Sequence, residues 1–376
     1  VTGATAIGNT STTTLTLDGT VYTTTGQQTY TAKSGQNIDI TNTAGTTFTT
    51  TNTAVAFNTA GVDLANSATT TVDTGTGAGA VTFQGAIETN GSDDDVLTIT
   101  SGTGAVTFSG AIGVTEELGG LNVNASSGSG VITFSSTIGD TSGGAGVIGT
   151  TAIGNAATSD LNFNAASYSF DGETTITAAS GDTIDMGALA ATSFTTAGDN
   201  ITFATGNIEL LNGSNLTVDT GAAGGNITIG EIAGHSVETV TLDAGTGTTS
   251  VGVIGTGTEI GALSIGSSDN GGITLNGAIT TDGIVDLDGP ITLATGAITI
   301  TTSDNAINLE GTVDGGQALT LSSGTAKVTA NGAIGSGTAL TSLTVNSAGS
   351  GIIEITDIGT SSAAGVTGAT AIGNTS

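Results

Sequence analysis

Several short apolar runs of this chain end in an aspartate, and a glycine follows that aspartate one or two residues later. Asp219 and Asp243 form the clearest pair, and their residue numbers differ by 24. If that spacing is one structural repeat, the two carboxylates stack and repel each other, and a hard cation with oxygen ligands, such as calcium, would relieve the repulsion. Asp219 and Asp243 are therefore the candidate calcium ligands. The alternative is a turn role, because aspartate is common in turns and the Gly-Gly-x-Gly-x-Asp calcium motif is absent.

Two other groups are candidates for catalysis. The segment from Gly91 to Asp95, GSDDD, is the densest carboxylate cluster, and a glycoside hydrolase needs only a pair of carboxylates. We favour a solvated turn, because the related copy of this segment keeps a single acid, Glu238. His235 is the only histidine, so it cannot build a His-rich metal site, and we prefer a structural place at a turn over a Ser-His-Asp triad. We predict no catalytic residue and no cofactor other than this calcium.

The charge of the chain is one-sided. It has 32 acids against two lysines, Lys33 and Lys327, and a net charge of −30. Phosphate backbones are bound mainly through lysine and arginine, which excludes nucleic acid as a partner and disfavours anionic membrane surfaces. No apolar run approaches the roughly 20 residues of a membrane span, so we predict no membrane insertion. The acidic composition fits an exported, extracellular protein, and the absence of cysteine leaves the redox compartment open.

Long repeats organise the sequence. VTGATAIGNTS occurs unchanged at Val1–Ser11 and at Val366–Ser376. A related copy begins near Thr151, where matching positions carry numbers higher by 146, so that Ile7 corresponds to Ile153 and Tyr22 to Tyr168. We therefore predict internal repeats over 1–146 and 147–365, with a third copy beginning at 366, all within one continuous β-solenoid over 1–376.

A shorter repeat predicts the fold. The pattern apolar-x-apolar-x-Gly-Ala-Ile starts at Val81 and again at Val106, and a variant of it starts at Ile132. Each unit of about 25 residues holds about three short alternating runs separated by Gly, Asn, Asp and Ser, which indicates one turn of an all-β parallel β-helix. Alternation places Val81 and Phe83 inside and Thr82 outside. No apolar pattern of helical period occurs, so we expect almost no helix.

The sequence resembles a known family at three stretches: GAVTFSGAIG at Gly104–Gly113, ELGGLNVNASSGSG at Glu117–Gly130 and ALTSLTVNSAGSG at Ala339–Gly351. These are similar to the giant Gly/Thr/Asn-rich β-strand-repeat proteins of bacterial surfaces, described as S-layer-family or filamentous-haemagglutinin-like. The resemblance implies secretion, a right-handed β-helix, and a role in adhesion, surface coats or fibres. It carries over no catalytic residue.

Three functions follow as hypotheses. The first is a structural, non-catalytic repeat segment of a secreted cell-surface protein that forms a fibre, coat or adhesin stalk. Its partner would be itself, because open strand ladders are templates for further strands. The second is an adhesin module that recognises a surface glycan or a receptor on its flank, although aromatic residues are only 3% of the chain, which weakens sugar stacking. The third is a polysaccharide-active β-helix enzyme.

Overall fold

The structure, a computed structural model, describes most of the chain, in the ranges 1–65, 68–91, 94–140, 144–188, 190–211, 213–235, 237–255, 257–266, 271–346 and 351–373. Within these ranges the regular structure is all strand, without a helix. Accordingly, the described residues hold no helix capable of crossing a membrane. Parallel strands stack in about 14 turns of about 25 residues each. The predicted all-β solenoid is therefore confirmed.

The chain divides into two compact units. The first contains Val1–Ala188, Thr192–Ala197 and Phe203–Asn207, and the second contains Leu189–Ala191, Gly198–Thr202 and Ile208–Ser376. The strand Ile201–Leu210 has residues in both units. The repeat boundary predicted at residue 147 falls inside the first unit.

In the first unit each turn contributes to three stacks of parallel strands. The first stack consists of Thr5–Gly8, Gln28–Thr31, Val55–Asn58, Val81–Phe83, Val106–Phe108, Ile132–Phe134, Leu161–Phe163 and Thr183–Met186. The second stack consists of Leu15–Leu17, Asn37–Ile40, Gly61–Leu64, Ile87–Thr89, single bridges at Ile112 and Ile138, Ser167–Ser169 and Ala191–Thr195, of which residues 192–195 belong to this unit. The third stack consists of Val21–Thr23, Thr46–Thr49, Thr69–Asp73, Val96–Thr100, Gly120–Val123, Thr151–Ile153 and Thr174–Ile176.

The second unit is built in the same way. One stack consists of Asn215–Asp219, Thr239–Asp243, Ala262–Ile265, Val285–Leu287, Ile307–Leu309, Val328–Ala330 and Ile353–Ile355. Another consists of Ile227–Ala233, Thr248–Ile254, Gly272–Leu275, Ile291–Leu293 and Val313–Asp314. The last starts from Ile254 and continues through Ile279–Thr281, Ile298–Thr302, Ala318–Ser322, Ser342–Asn346 and Thr370–Ile372.

The core follows the predicted alternation. Val81 and Phe83 are buried, and Thr82 between them is partly exposed. In the first stack one aromatic ring per turn lies on the next, with centroids 4.8 to 5.6 Å apart and planes within 17° of each other. The strand spacing of about 4.8 Å suits ring stacking, so the pairing register also aligns the rings. The rings of this aromatic ladder belong to Tyr30, Phe57, Phe83, Phe108, Phe134 and Phe163.

The glycine of the Gly-Ala-Ile consensus marks a corner where backbone packs on backbone. A Cβ atom on Gly110 would lie 2.1 Å from the carbonyl carbon of Gly85 in the preceding turn. A Cβ atom on Gly85 would in turn lie 2.0 Å from the carbonyl oxygen of Ala60. Because no Cβ atom fits either gap, these two corners require glycine for steric reasons, whereas the variant that starts at Ile132 has Ser136 at the equivalent position.

The internal copy that begins near Thr151 lies in different stacks of the first unit from the opening segment it resembles. Thr5–Gly8 belongs to the first stack, whereas its counterpart Thr151–Ile153 belongs to the third. Likewise Tyr22 lies in the third stack and Tyr168 in the second. The offset between the copies is therefore not a whole number of turns. The same segment serves different stacks because each stack requires the same alternation of apolar and polar residues.

Candidate functional site

Asp219 and Asp243 are register partners on adjacent parallel strands, so the predicted spacing of one turn is correct. Each carboxylate also closes its own turn. The Oδ1 atom of Asp219 accepts a hydrogen bond of 2.7 Å from the backbone N–H of Gly221, and that of Asp243 accepts one of 2.9 Å from Gly245. Asp73 makes the same bond, 2.8 Å long, to Gly75. This geometry favours the turn role for all three residues.

A larger set of ligands is not assembled around this pair. Among the described residues, no group of three or more His, Cys, Asp and Glu side chains is arranged to hold a metal ion. The calcium hypothesis therefore depends on Asp219 and Asp243 alone, and it stays a prediction to be tested.

We expect Asp243→Asn and Asp219→Asn to melt at or above the temperature of the parent chain, because asparagine keeps the oxygen acceptor and removes the charge. Asp243→Ala should lower the free energy of unfolding by about 1 kcal/mol, the usual net contribution of one hydrogen bond. Thermal melts followed by circular dichroism measure both effects. Calcium and magnesium at equal ionic strength should shift the melting temperature of the parent chain by the same amount. A calcium-specific rise that both asparagine variants lose would instead establish the cation site.

The GSDDD segment is only partly described, since Ser92 and Asp93 lie outside the described residues. Asp94 is exposed, as a solvated turn predicts. Asp95 differs, because it is completely buried and its Oδ1 atom accepts a hydrogen bond of 3.1 Å from the backbone N–H of Ala68. It directly precedes the strand Val96–Thr100, so its hydrogen bond stabilises the backbone at the start of that strand.

His235 lies at a turn, as predicted, and half of its side chain is exposed. Its Nε2 atom is 3.8 Å from Oε1 of Glu209. Its backbone N–H donates a hydrogen bond of 2.6 Å to Oε2 of Glu238, which also accepts one of 3.2 Å from Val237. Ser236 lies outside the described residues. His235 therefore has an acidic neighbour, Glu209, at the surface. The carboxylate of Glu238 stabilises the turn by accepting two backbone hydrogen bonds.

Glu238 is a buried carboxylate, although the sequence pattern marks it only as a counterpart of the GSDDD cluster. Like Asp95, it stands directly before a strand, here Thr239–Asp243. An acid in that position, preceded by a polar turn, is the signal that could have predicted the burial of both residues.

An acidic ladder that was not predicted from the sequence follows the second stack of the first unit. Asp39 pairs in register with Asp63, and Asp63 pairs with Glu88. Asn37 Nδ2 donates a hydrogen bond of 2.7 Å to Asp63, and Glu88 accepts a bond of 3.1 Å from the backbone N–H of Thr115. Burial, together with the negative charge of Asp63, raises the pKa of Asp39.

Asp39→Asn should raise the melting temperature at pH 7. A raised pKa in the folded state means that folding favours the protonated carboxyl, so the charge on Asp39 costs stability at neutral pH. The cost disappears as the pH falls towards about 4, the ordinary value of aspartate, so the variant and the parent should converge there. Melts at the two pH values test this, with the exposed Asp171→Asn as the control. An advantage independent of pH would contradict it.

The surface offers a groove but no aromatic platform. A shallow groove of about 470 Å³ in the first unit is lined by glycine, alanine, serine and threonine residues and by Asp73. All nine phenylalanines are buried. Tyr30 and Tyr168 are buried as well, and this burial raises the pKa of each. Stacking of sugars on aromatic rings is therefore limited to Tyr22, which is partly exposed.

Apolar side chains remain uncovered near the end of the second unit. Ile353, Ile355, Ile358 and Ile372 line an opening of about 420 Å³, together with Thr356 and Asp357. No protein-family model, curated protein or solved structure matches this chain. The geometry of its strands, charges and surfaces is therefore the basis on which a function is proposed.

Proposed function

We propose that this chain is a structural, non-catalytic repeat segment of a secreted cell-surface protein, and that it builds an extracellular fibre, surface coat or adhesin stalk. The observation that carries the proposal is the ladder itself. In each unit the strands pair in parallel register turn after turn, for example Val55 with Val81, and Val81 with Val106. Since every turn contacts only its neighbours, such a stack can be lengthened without changing its core.

The charge supports the same proposal. A net charge of −30 keeps a protein soluble and opposes side-by-side association. The partner in this proposal is a further copy of the same repeat, and the place is the outside of the cell.

The alternative function is an adhesin module that binds a glycan or a receptor on its flank. The groove beside Asp73 favours it, because it is a concave surface on the flank that is open to an extended ligand. The buried aromatic residues weigh against a sugar. The groove makes the binding function worth testing, and we rank it below the structural function.

Electron microscopy of the purified chain over a range of concentrations separates the two functions. The structural role predicts filaments that lengthen with protein concentration and with salt, which screens the acidic charge. Discrete particles at every concentration, together with saturable binding of a glycan or receptor, would refute the structural role.

A further inference from the structure

Asparagine followed directly by glycine occurs five times in the chain. In this dipeptide the backbone nitrogen of the glycine can attack the side-chain amide carbon of the asparagine, because glycine has no Cβ atom to obstruct the approach. The asparagines of three pairs, Asn90, Asn276 and Asn331, lie within the described residues, whereas Asn212 and Asn270 lie outside them. The fold treats these three pairs differently.

The side chains of Asn276 and Asn331 are held in place. The Nδ2 atom of Asn276 donates a hydrogen bond of 3.0 Å to Oγ of Ser250. That of Asn331 donates one of 2.6 Å to Oε2 of Glu310. Each bond ties the amide that would have to react to a neighbouring turn of the second unit, and a bond to a charged acceptor such as Glu310 is stronger than one between neutral groups.

The glycines that follow these two asparagines are packed against backbone. A Cβ atom on Gly277 would lie 2.7 Å from the backbone nitrogen of Val253, and one on Gly332 would lie 2.3 Å from the carbonyl carbon of Gly311. Ring closure turns the glycine nitrogen towards the asparagine side chain and moves the backbone around it. In both corners that movement would push against the backbone of the preceding turn.

Asn90 and Gly91 stand in an open turn after the strand Ile87–Thr89. Both residues are exposed, and a Cβ atom on Gly91 would meet nothing within 4 Å. The backbone N–H of Asn90 donates a hydrogen bond of 3.1 Å to the carbonyl of Leu64. Its side chain makes no hydrogen bond with another described residue. The amide of Asn90 and the nitrogen of Gly91 are therefore free to approach each other.

We propose that Asn90 is a site of spontaneous deamidation in the folded protein, and that the fold protects Asn276 and Asn331 from the same reaction. The nitrogen of Gly91 forms a bond to Cγ of Asn90, and the bond from Cγ to Nδ2 breaks. The proton from Gly91 leaves with the amide nitrogen as ammonia, which gives a succinimide ring. Water then opens the ring at one carbonyl or the other, to aspartate or to isoaspartate.

The modification would add a carboxylate to a turn that is already acidic. Asp94 in the same turn is exposed, and the buried Asp95 holds the backbone N–H of Ala68. In the isoaspartate product the backbone also runs through the side-chain carbon and is longer at this point. Water is the only co-reactant, so the reaction needs no enzyme and does not depend on the proposed structural function.

Peptide mass spectrometry of the folded chain, incubated at mildly alkaline pH, tests the proposal. Deamidation replaces an amide with an acid and so changes the mass of the peptide. Digestion with pepsin at low pH stops the reaction and separates the three sites. The Asn90 peptide should deamidate about tenfold faster than the Asn276 and Asn331 peptides, a barrier difference of about 1.4 kcal/mol. Electron-transfer fragmentation distinguishes isoaspartate from aspartate at position 90.

The same chain unfolded in urea is the matched control. A small residue follows each of the three glycines, so the three rates should converge once the fold is lost. Asn90→Gln gives the same peptide without the reactive amide, and its rapid change in mass should disappear.

Three results would overturn the proposal. The first is an Asn276 or Asn331 peptide that deamidates as fast as the Asn90 peptide in the folded chain. The second is an advantage of Asn90 that persists in urea, because the sequence and not the fold would then set the rates. The third is a rapid change in mass that remains in Asn90→Gln, which would place the modification at another residue.

Discussion

Phe108→Ala is expected to destabilise the first unit by about 3–5 kcal/mol, the usual cost of removing a buried aromatic ring. Phe108 lies between two stacked rings, with centroids 5.6 Å from Phe83 and 4.8 Å from Phe134. Removing it leaves a gap in the aromatic ladder and deprives both neighbours of a contact. The surrounding turns cannot close the gap, because their spacing is fixed by the hydrogen bonds between strands.

Urea denaturation followed by circular dichroism measures this effect, and Thr107→Ala is the matched control. Thr107 stands next to Phe108 on the same strand with its side chain on the outer side, so its loss should cost less than about 1 kcal/mol. A local loss of structure is also expected, because turns stabilise one another mainly as neighbours. Equal costs for the two variants would show that the ladder adds little to stability.

Gly110→Ala should cost about 3 kcal/mol, although it adds only one methyl group, because forced overpacking of a rigid site outweighs the gain in apolar burial. The new Cβ atom would lie 2.1 Å from the carbonyl carbon of Gly85. The neighbouring atoms belong to the backbone of the preceding turn, which cannot rotate away as a flexible side chain would. The contact can be relieved only by moving the backbone of that corner.

Gly230→Ala is the matched control, because a Cβ atom on Gly230 meets nothing within 4 Å and its φ is not in the left-handed region. We expect a change within about 0.5 kcal/mol there. Thermal and urea denaturation of both variants give the comparison. If Gly110→Ala proved as stable as Gly230→Ala, the glycine of the Gly-Ala-Ile consensus would not be a steric requirement.

The fold could be predicted from the sequence because its signal is repeated in every turn. Alternation at Val81, Thr82 and Phe83 gave the inner and outer sides, and the nearly constant interval between the consensus starts gave the length of a turn. The turn role of Asp219 and Asp243 also followed from local chemistry, since a carboxylate beside a following N–H forms the same bond wherever the chain turns.

Features that depend on register between distant turns were harder to predict. Asp39, Asp63 and Glu88 recur at nearly the same interval as Asp219 and Asp243, yet the stretch around Asp39 lacks the clear consensus that fixes the register near Val81. The burial of Asp95 and Glu238 depends on backbone donors supplied by turns folded around them. Composition describes such acids as surface residues, and only the folded turns show their partners.

Because the offset between the two internal copies is not a whole number of turns, it affects how solenoids can pack side by side. Asp39 and its counterpart Asp185 lie in the second and first stacks of the first unit, so the two copies present equivalent carboxylates in different directions around the solenoid axis. A neighbour packing along one flank of this unit would therefore meet the carboxylate of one copy without its equivalent from the other. Flat two-dimensional packing needs a flank that repeats, and for this reason we favour separate filaments over a flat coat among the proposed structural roles.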